Sequence, residues 1–128
     1  MNRIVLDASA ILALLNEEPG AEKIPLELLS QATTSTVNLA EVQAKLVREG
    51  GDPEETWALA LDPLPNVEPF TAEQAKIAGS LVQKTRALGL SLGDRACLAL
   101  AMVLNAAVYT TDQPWKKLKI GIPIHVIR

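Results

Sequence analysis

Acidic residues stand where apolar runs end or turn: Asp7 after Arg3-Ile4-Val5-Leu6, Glu41 in VNLAEV, Asp94 in LSLGDRACLALA and Asp112 in AVYTTD. If those runs pack as one layered α/β domain, the four carboxylates can meet in one pocket. Two carboxylates about 4 Å apart repel by roughly 4 kcal/mol at an effective dielectric near 20, so a shared pocket needs a hard divalent cation. Oxygen-only ligands select Mg²⁺ or Mn²⁺ over zinc, and Mg²⁺ keeps several waters while joining one or two carboxylates to a phosphate. Such an ion offsets the like charge, lowers the pKa of an attacking water and stabilises charge growing on the phosphate. The small neighbours Ala8, Ser9, Gly93 and Thr111 leave room for it.

Taken singly, each acid also has a plainer role. Asp7 can cap the helix that follows it, and Asp94 can complete a capping box with Ser91. Glu41 can pair with Asn38 or with Lys45 four residues on, and Asp112 can shape the turn before Pro114. The joint reading gains weight because the four acids lie on separate elements, three of them at transitions out of a strand or into a helix.

Those elements follow from periodicity and punctuation. Residues 3–7 read as a buried strand and Ala8 to Leu15 as a short helix stopped by Asn16-Glu17-Glu18-Pro19-Gly20. A weaker helix is expected over Ala21 to Gln31, begun or kinked by Pro25, and a strand over Thr33 to Thr36. From Asn38, Leu39, Val42 and Leu46 recur at helical spacing until Gly50-Gly51, which places Glu41 in the first turns of a helix. Pro53 opens another helix to Leu61, DPLPNVEPF returns through a brief strand near Val67, and Thr71 with Gln74 starts a long helix ending near Leu88-Gly89. Arg95 to Leu104 is apolar almost all round, which predicts central burial. Strands over Ala107 to Thr111 and Ile122 to Ile127 complete an alternation that predicts a mainly parallel sheet with helices on both faces, a three-layer α/β/α sandwich. Ligands of such sheets gather at the carboxyl ends of the strands, where Asp7 and Asp112 fall.

Composition narrows the classes. A chain of 128 residues, 48% hydrophobic and 21% charged, is expected to form one domain over 1–128 with no linker. The apolar stretch from Ala96 to Tyr109 is shorter than the roughly 20 residues that cross a bilayer, and Asp7 breaks the only signal-like run, so a cytoplasmic location is expected. Cys97 is the single cysteine and His125 the single histidine, which rules out an internal disulfide and a multi-thiolate zinc site and leaves little for a Ser/His/Asp relay. Cys97 is expected as a buried small hydrophobe and His125 as strand decoration. A net charge of −3 argues against coating nucleic acid through bulk positive charge. Local phosphate contacts stay open: Lys84, Arg86 and Arg95 flank Asp94 in sequence, and Lys116, Lys117 and Lys119 follow Asp112, unless these cations merely solvate the surface.

The runs IVLDASAILALL, TSTVNLAEV, LGLSLGDRACLALA and TTDQPW resemble, in order and over nearly the whole chain, the motifs of the PIN-domain nucleases, in particular the VapC-type toxins of bacterial and archaeal toxin–antitoxin pairs. That resemblance implies that Asp7, Glu41, Asp94 and Asp112 form the metal site, with Asp7 and Asp94 as direct ligands and Asp112 and Glu41 acting directly or through water. It implies orienting roles for Ser9, Asn38 and Thr110, packing ahead of base stacking for Trp115, and phosphate contacts for Arg86 and Arg95, although Arg95 can equally neutralise its acidic neighbour. It further implies a Mg²⁺- or Mn²⁺-dependent endoribonuclease, a homodimer, an RNA substrate cut to 5′-phosphate and 3′-hydroxyl ends, and a small antitoxin protein that blocks the site.

Two other classes share some of these features. A phosphoacceptor receiver is also a small doubly wound domain with aspartates at strand ends, but the first strand here ends in one aspartate without an adjacent acidic partner, and no Lys-Pro pair follows a late strand. A non-catalytic protein-binding module would use the acids only as caps.

Overall fold

The computed structural model describes residues 3–128. All of Ile4–Leu6 (β1) is buried, as suits a strand covered on both faces. It lies between β2 (Ala32–Thr33) and β3 (Ala107–Thr110), and β4 (Ile124–Val126) completes a four-stranded sheet of order β2-β1-β3-β4. Every pairing is parallel: Ile4 stands opposite both Ala32 and Ala107, and Val108 opposite Ile124.

Around the sheet run α1 (Ala8–Leu15), α2 (Leu26–Leu29), α3 (Thr36–Arg48), α4 (Pro53–Leu61), α5 (Ala72–Ser80), α6 (Val82–Thr85) and α7 (Leu92–Leu104). Successive side chains of a strand point to opposite faces, and the core divides accordingly. Ile4 and Leu6 pack with Ala10, Ile11, Leu39 and Val42 from α1 and α3. Val5 and Val108 pack with Cys97, Leu98 and Ala101 from α7, and with Trp115. Helices thus cover both faces, giving the expected α/β/α sandwich. As its composition predicts, α7 is the central helix, with every residue from Ala96 to Ala101 buried. Among the described residues, no helix is long and apolar enough to cross a membrane.

Several expected boundaries move. The strand expected over Thr33 to Thr36 ends at Thr33, because the Thr34 hydroxyl donates to the Leu6 carbonyl at 2.7 Å and Ser35 caps α3 through the Val37 N–H at 3.1 Å. The strand near Val67 reduces to one bridge between Ser35 and Glu68. Pro25, extended at φ −69° and ψ 170°, breaks the Ala21 to Gln31 segment into a 3-10 turn, Ala21–Lys23, and α2. The helix from Thr71 starts as expected, with the Thr71 hydroxyl accepting from the Gln74 N–H at 3.2 Å. It breaks after Ser80, however, and resumes as α6 and a 3-10 turn, Arg86–Leu88. Arg95 reaches the chain at this break. Its Nη1 donates at 2.8 Å to the Ala78 carbonyl, the acceptor that a continuous helix would offer the Val82 N–H.

Trp115 is fully buried, in keeping with packing, and Cys97 is likewise enclosed. His125 is exposed on β4, where its ring stacks on Tyr109 with centroids 4.7 Å apart.

Candidate active site

The strand order reverses beside β1: the chain goes from β1 to β2 on one side and returns to β3 on the other. A crevice at the carboxyl ends of β1 and β3 results. Asp7 directly follows β1 and Asp112 lies just past β3. Glu41, on α3, and Asp94, in the first turn of α7, face the same place. All four acids line one cleft of about 290 Å³ together with Ala8, Ser9, Leu12, Lys45 and Arg48. A larger cavity of about 700 Å³ opens at the amino ends of the strands, beside Ile4, Leu28, Asn105 and Tyr109. It has no carboxylate, so the acid chemistry belongs to the smaller cleft.

Asp7 is the most enclosed of the four acids, 4% exposed, and protein donors hold both of its oxygens. Oδ1 accepts from the Ser9 hydroxyl at 2.7 Å and from the Ala10 N–H at 2.8 Å, so Asp7 does cap α1. Oδ2 accepts from the Thr110 hydroxyl at 2.6 Å. The network continues outward: the Thr111 N–H donates to Ser9 Oγ at 2.9 Å, and the Asp112 N–H donates to Thr110 Oγ1 at 3.0 Å. Ser9 and Thr110 therefore tie the ends of β1 and β3 together and orient the Asp7 carboxylate. Burial raises the Asp7 pKa from 3.8 to about 6; the three hydrogen bonds oppose this and the charge of Asp94 adds to it.

Asp94 completes the capping box of α7, accepting from the Ser91 N–H at 2.9 Å while Ser91 Oγ accepts from the Asp94 N–H at 3.1 Å. Only Oδ2 is used in this way. Glu41 accepts from Asn38 Nδ2 at 3.1 Å, and the same nitrogen donates to the Gly93 carbonyl at 3.1 Å. Two acceptors around Nδ2 fix the Asn38 amide and leave its buried Oδ1 without a partner. Glu41 presses so closely on Gly93 that a Cβ there would lie 2.5 Å or less from its carboxylate. Burial raises the Glu41 pKa above 4.5, and Asp94 contributes in the same direction. Burial also pushes the Cys97 thiol well up, and the charges of Asp7, Asp94 and Glu41 all add to the effect. Asp112 makes no side-chain capping bond at the turn it opens.

An oxygen-only, acidic donor set suits a hard divalent cation. Among the described residues, no three acidic, histidine or cysteine side chains already stand as a ready ligand cage.

The two arginines expected to contact phosphate are not among the residues that line the cleft. Arg95 is tied to Ala78 on α5, and Arg86 is exposed on its 3-10 turn; neither lines the cleft. The cations that do are Lys45 and Arg48. In the sequence Lys45 stands out only as a partner for Glu41, and Arg48 carries no mark of its own. The signal was present: positions 41, 45 and 48 share one helix face.

A profile of the PIN domain matches residues 4–121. The chain belongs to the PIN domain family. Among curated proteins, no sequence matches it. Solved structures with the same fold include VapBC2 from Rickettsia felis bound to a promoter DNA fragment, at 22% identity and a TM-score of 0.72, covering 94% of this chain and 96% of that one. DNA-bound VapBC from Salmonella typhimurium aligns at 18% identity with a TM-score of 0.75, over 97% of each chain. VapC20 from Mycobacterium tuberculosis, a toxin that cleaves the sarcin-ricin loop, aligns at 22% identity with a TM-score of 0.72, over 88% of this chain and 92% of that one. This PIN domain is thus similar in fold to the VapC chains over almost its whole length.

Proposed function

We propose that this PIN domain is a metal-dependent endoribonuclease that acts as the toxin of a toxin–antitoxin pair. The observation that carries the reading is the meeting of Asp7, Glu41, Asp94 and Asp112, from four separate elements, in one cleft at the switch point of the sheet. Capping alone does not account for the set: Asp7 and Asp94 are caps, but Glu41 sits within α3 and the Asp112 side chain caps nothing.

Asp7 and Asp94 would hold Mg²⁺ or Mn²⁺, with Asp112 and Glu41 bound directly or through water. When bound, the cation supplies a more acidic water and neutralises charge growing on the phosphate. Ser9, Thr110 and the Ala10 N–H keep the Asp7 carboxylate in one orientation throughout. Glu41, fixed by Asn38 and raised above its ordinary pKa, is placed to take the proton of the attacking water. Oxygen from that water bonds to phosphorus as the bond to the 3′ oxygen breaks, and the 3′ oxygen takes a proton from solvent. The products carry a 5′ phosphate and a 3′ hydroxyl. Partners of this reading are the RNA substrate, a cognate antitoxin that covers the cleft and a second copy of the chain in a homodimer. The likeness to chains solved within VapBC complexes supports the antitoxin.

Sequencing of RNA 5′ ends after brief expression tests the proposal. Discrete new 5′-phosphate ends are expected with the wild-type chain and not with Asp7→Asn. Identical ends in both, or none in either, reject it.

A further inference from the structure

Lys45 and Arg48 are both exposed and both line the acidic cleft. A Glu followed by a Lys four residues later on a helix is the favourable order for an ion pair, yet Glu41 bonds to Asn38 instead. Among the described residues the only ion pairs within 4 Å are Arg3 with Glu68 and Arg128 with Glu18, so neither Lys45 nor Arg48 is paired. Lys45 is near enough to Glu18 to help lower its pKa, behind the larger effects of Arg128 and Asn16, without contacting it. These two cations therefore do not balance the cleft's own carboxylates by contact. Both lie toward the carboxyl end of α3, where a cation also favours the helix dipole, but that role does not require them to face the cleft.

Spacing gives them a direction. At about 1.5 Å per residue, Lys45 lies about 6 Å and Arg48 about 10.5 Å along the α3 axis from Glu41. Phosphates of a stacked strand succeed one another about every 3.4 Å of axis, so this ladder covers roughly two or three of them. We propose that Lys45 and Arg48 form a cationic rail that binds the RNA phosphates on one side of the scissile bond and lays the strand along α3. The inference rests on the nuclease reading above. It assigns positioning, not chemistry, to the two residues: they set where the strand lies while the carboxylates act on one phosphate.

Steady-state cleavage of a labelled RNA at several salt concentrations tests it, with wild type, Lys45→Gln, Arg48→Gln, the double variant, Lys45→Arg, and Lys76→Gln on α5 as a control of equal charge change. Lys45→Gln and Arg48→Gln are each expected to raise KM roughly fivefold, and the double variant more, while all leave kcat within about twofold. The salt exponent of kcat/KM should fall by about 0.7 for each rail cation removed. Lys45→Arg should keep the wild-type exponent, and Lys76→Gln should match wild type. A purely structural role would lower the melting temperature and leave the salt exponent in place. If the wild type cuts RNA while the double variant keeps its KM and salt exponent, the rail is wrong and the nuclease reading stands. A wild type that cuts no RNA overturns both.

Discussion

Replacing Asp7 with asparagine should stabilise the metal-free protein at neutral pH. Burial raises this carboxyl from 3.8 to about 6, against three hydrogen bonds that favour its charged form. The native state keeps its proton to higher pH than the unfolded chain does. Between about pH 4 and pH 6 it therefore binds more protons, and stability falls as pH rises through that window. A displacement of this size costs the native state about 3 kcal/mol by pH 7. Asparagine removes the charge and keeps one oxygen for Ser9 and the Ala10 N–H. Its amide nitrogen then meets Thr110 Oγ1, which already accepts from the Asp112 N–H, and that mismatch returns about 1 kcal/mol. The net gain is about 2 kcal/mol, or roughly 6–8 °C in Tm for a chain of this size. The assay is thermal melting in EDTA from pH 4.5 to 7.5. Wild type should lose stability across the window and the variant should be nearly flat, with a smaller residual slope of the same sign from Glu41, which burial also raises. A variant that melts below wild type at pH 7.5 and keeps the full wild-type slope would refute the reasoning.

Gly93→Ala should damage catalysis more than folding, because the atoms nearest the added methyl group all belong to the Glu41 carboxylate at the end of its side chain and alanine favours a helix by up to about 1 kcal/mol over glycine; cleavage should fall sharply while Tm stays within a few degrees, and unchanged cleavage would show that Glu41 is not needed where it stands. Thr110→Val removes a hydroxyl that donates to Asp7 and accepts from the Asp112 N–H. It should cost about 1–3 kcal/mol in denaturant unfolding and push the Asp7 pKa above about 6, moving the acid limb of the pH–rate profile upward; a downward or absent shift contradicts the assigned bond. Trp115→Ala should cost about 3–5 kcal/mol in urea unfolding through the cavity it leaves, since the ring is wholly buried.

Local signals carried much of the fold. The run into Asp7, the small-residue start of α1 and the Ser91–Asp94 box mark their elements because an apolar period and a cap reside in neighbouring residues. The breaks were harder to read. The division after Ser80 coincides with Arg95 reaching the Ala78 carbonyl across the interface of α5 and α7, a contact between distant parts of the chain. The two-residue β2 is held largely by β1 and has too few residues for a period of its own. The same contrast governs the site. Asp7, Asp94 and Asp112 are legible because they end or open clear elements, and Glu41 because it follows a helical period, whereas the cations of the cleft are not adjacent to those acids in sequence. Neighbours on a helix point about 100° apart, which turns Arg95 from Asp94 toward α5. The residues that share the face of Glu41 are four and seven positions on, Lys45 and Arg48.

Binding of Mn²⁺, followed by the loss of its free electron paramagnetic resonance signal on titration with purified protein, tests the central claim most directly. Wild type should bind the ion, and Asp7→Asn and Asp94→Asn should each lose most of that binding while remaining folded. A wild-type protein that leaves the Mn²⁺ signal unchanged, or variants that bind as wild type does, would contradict a cation shared among these carboxylates.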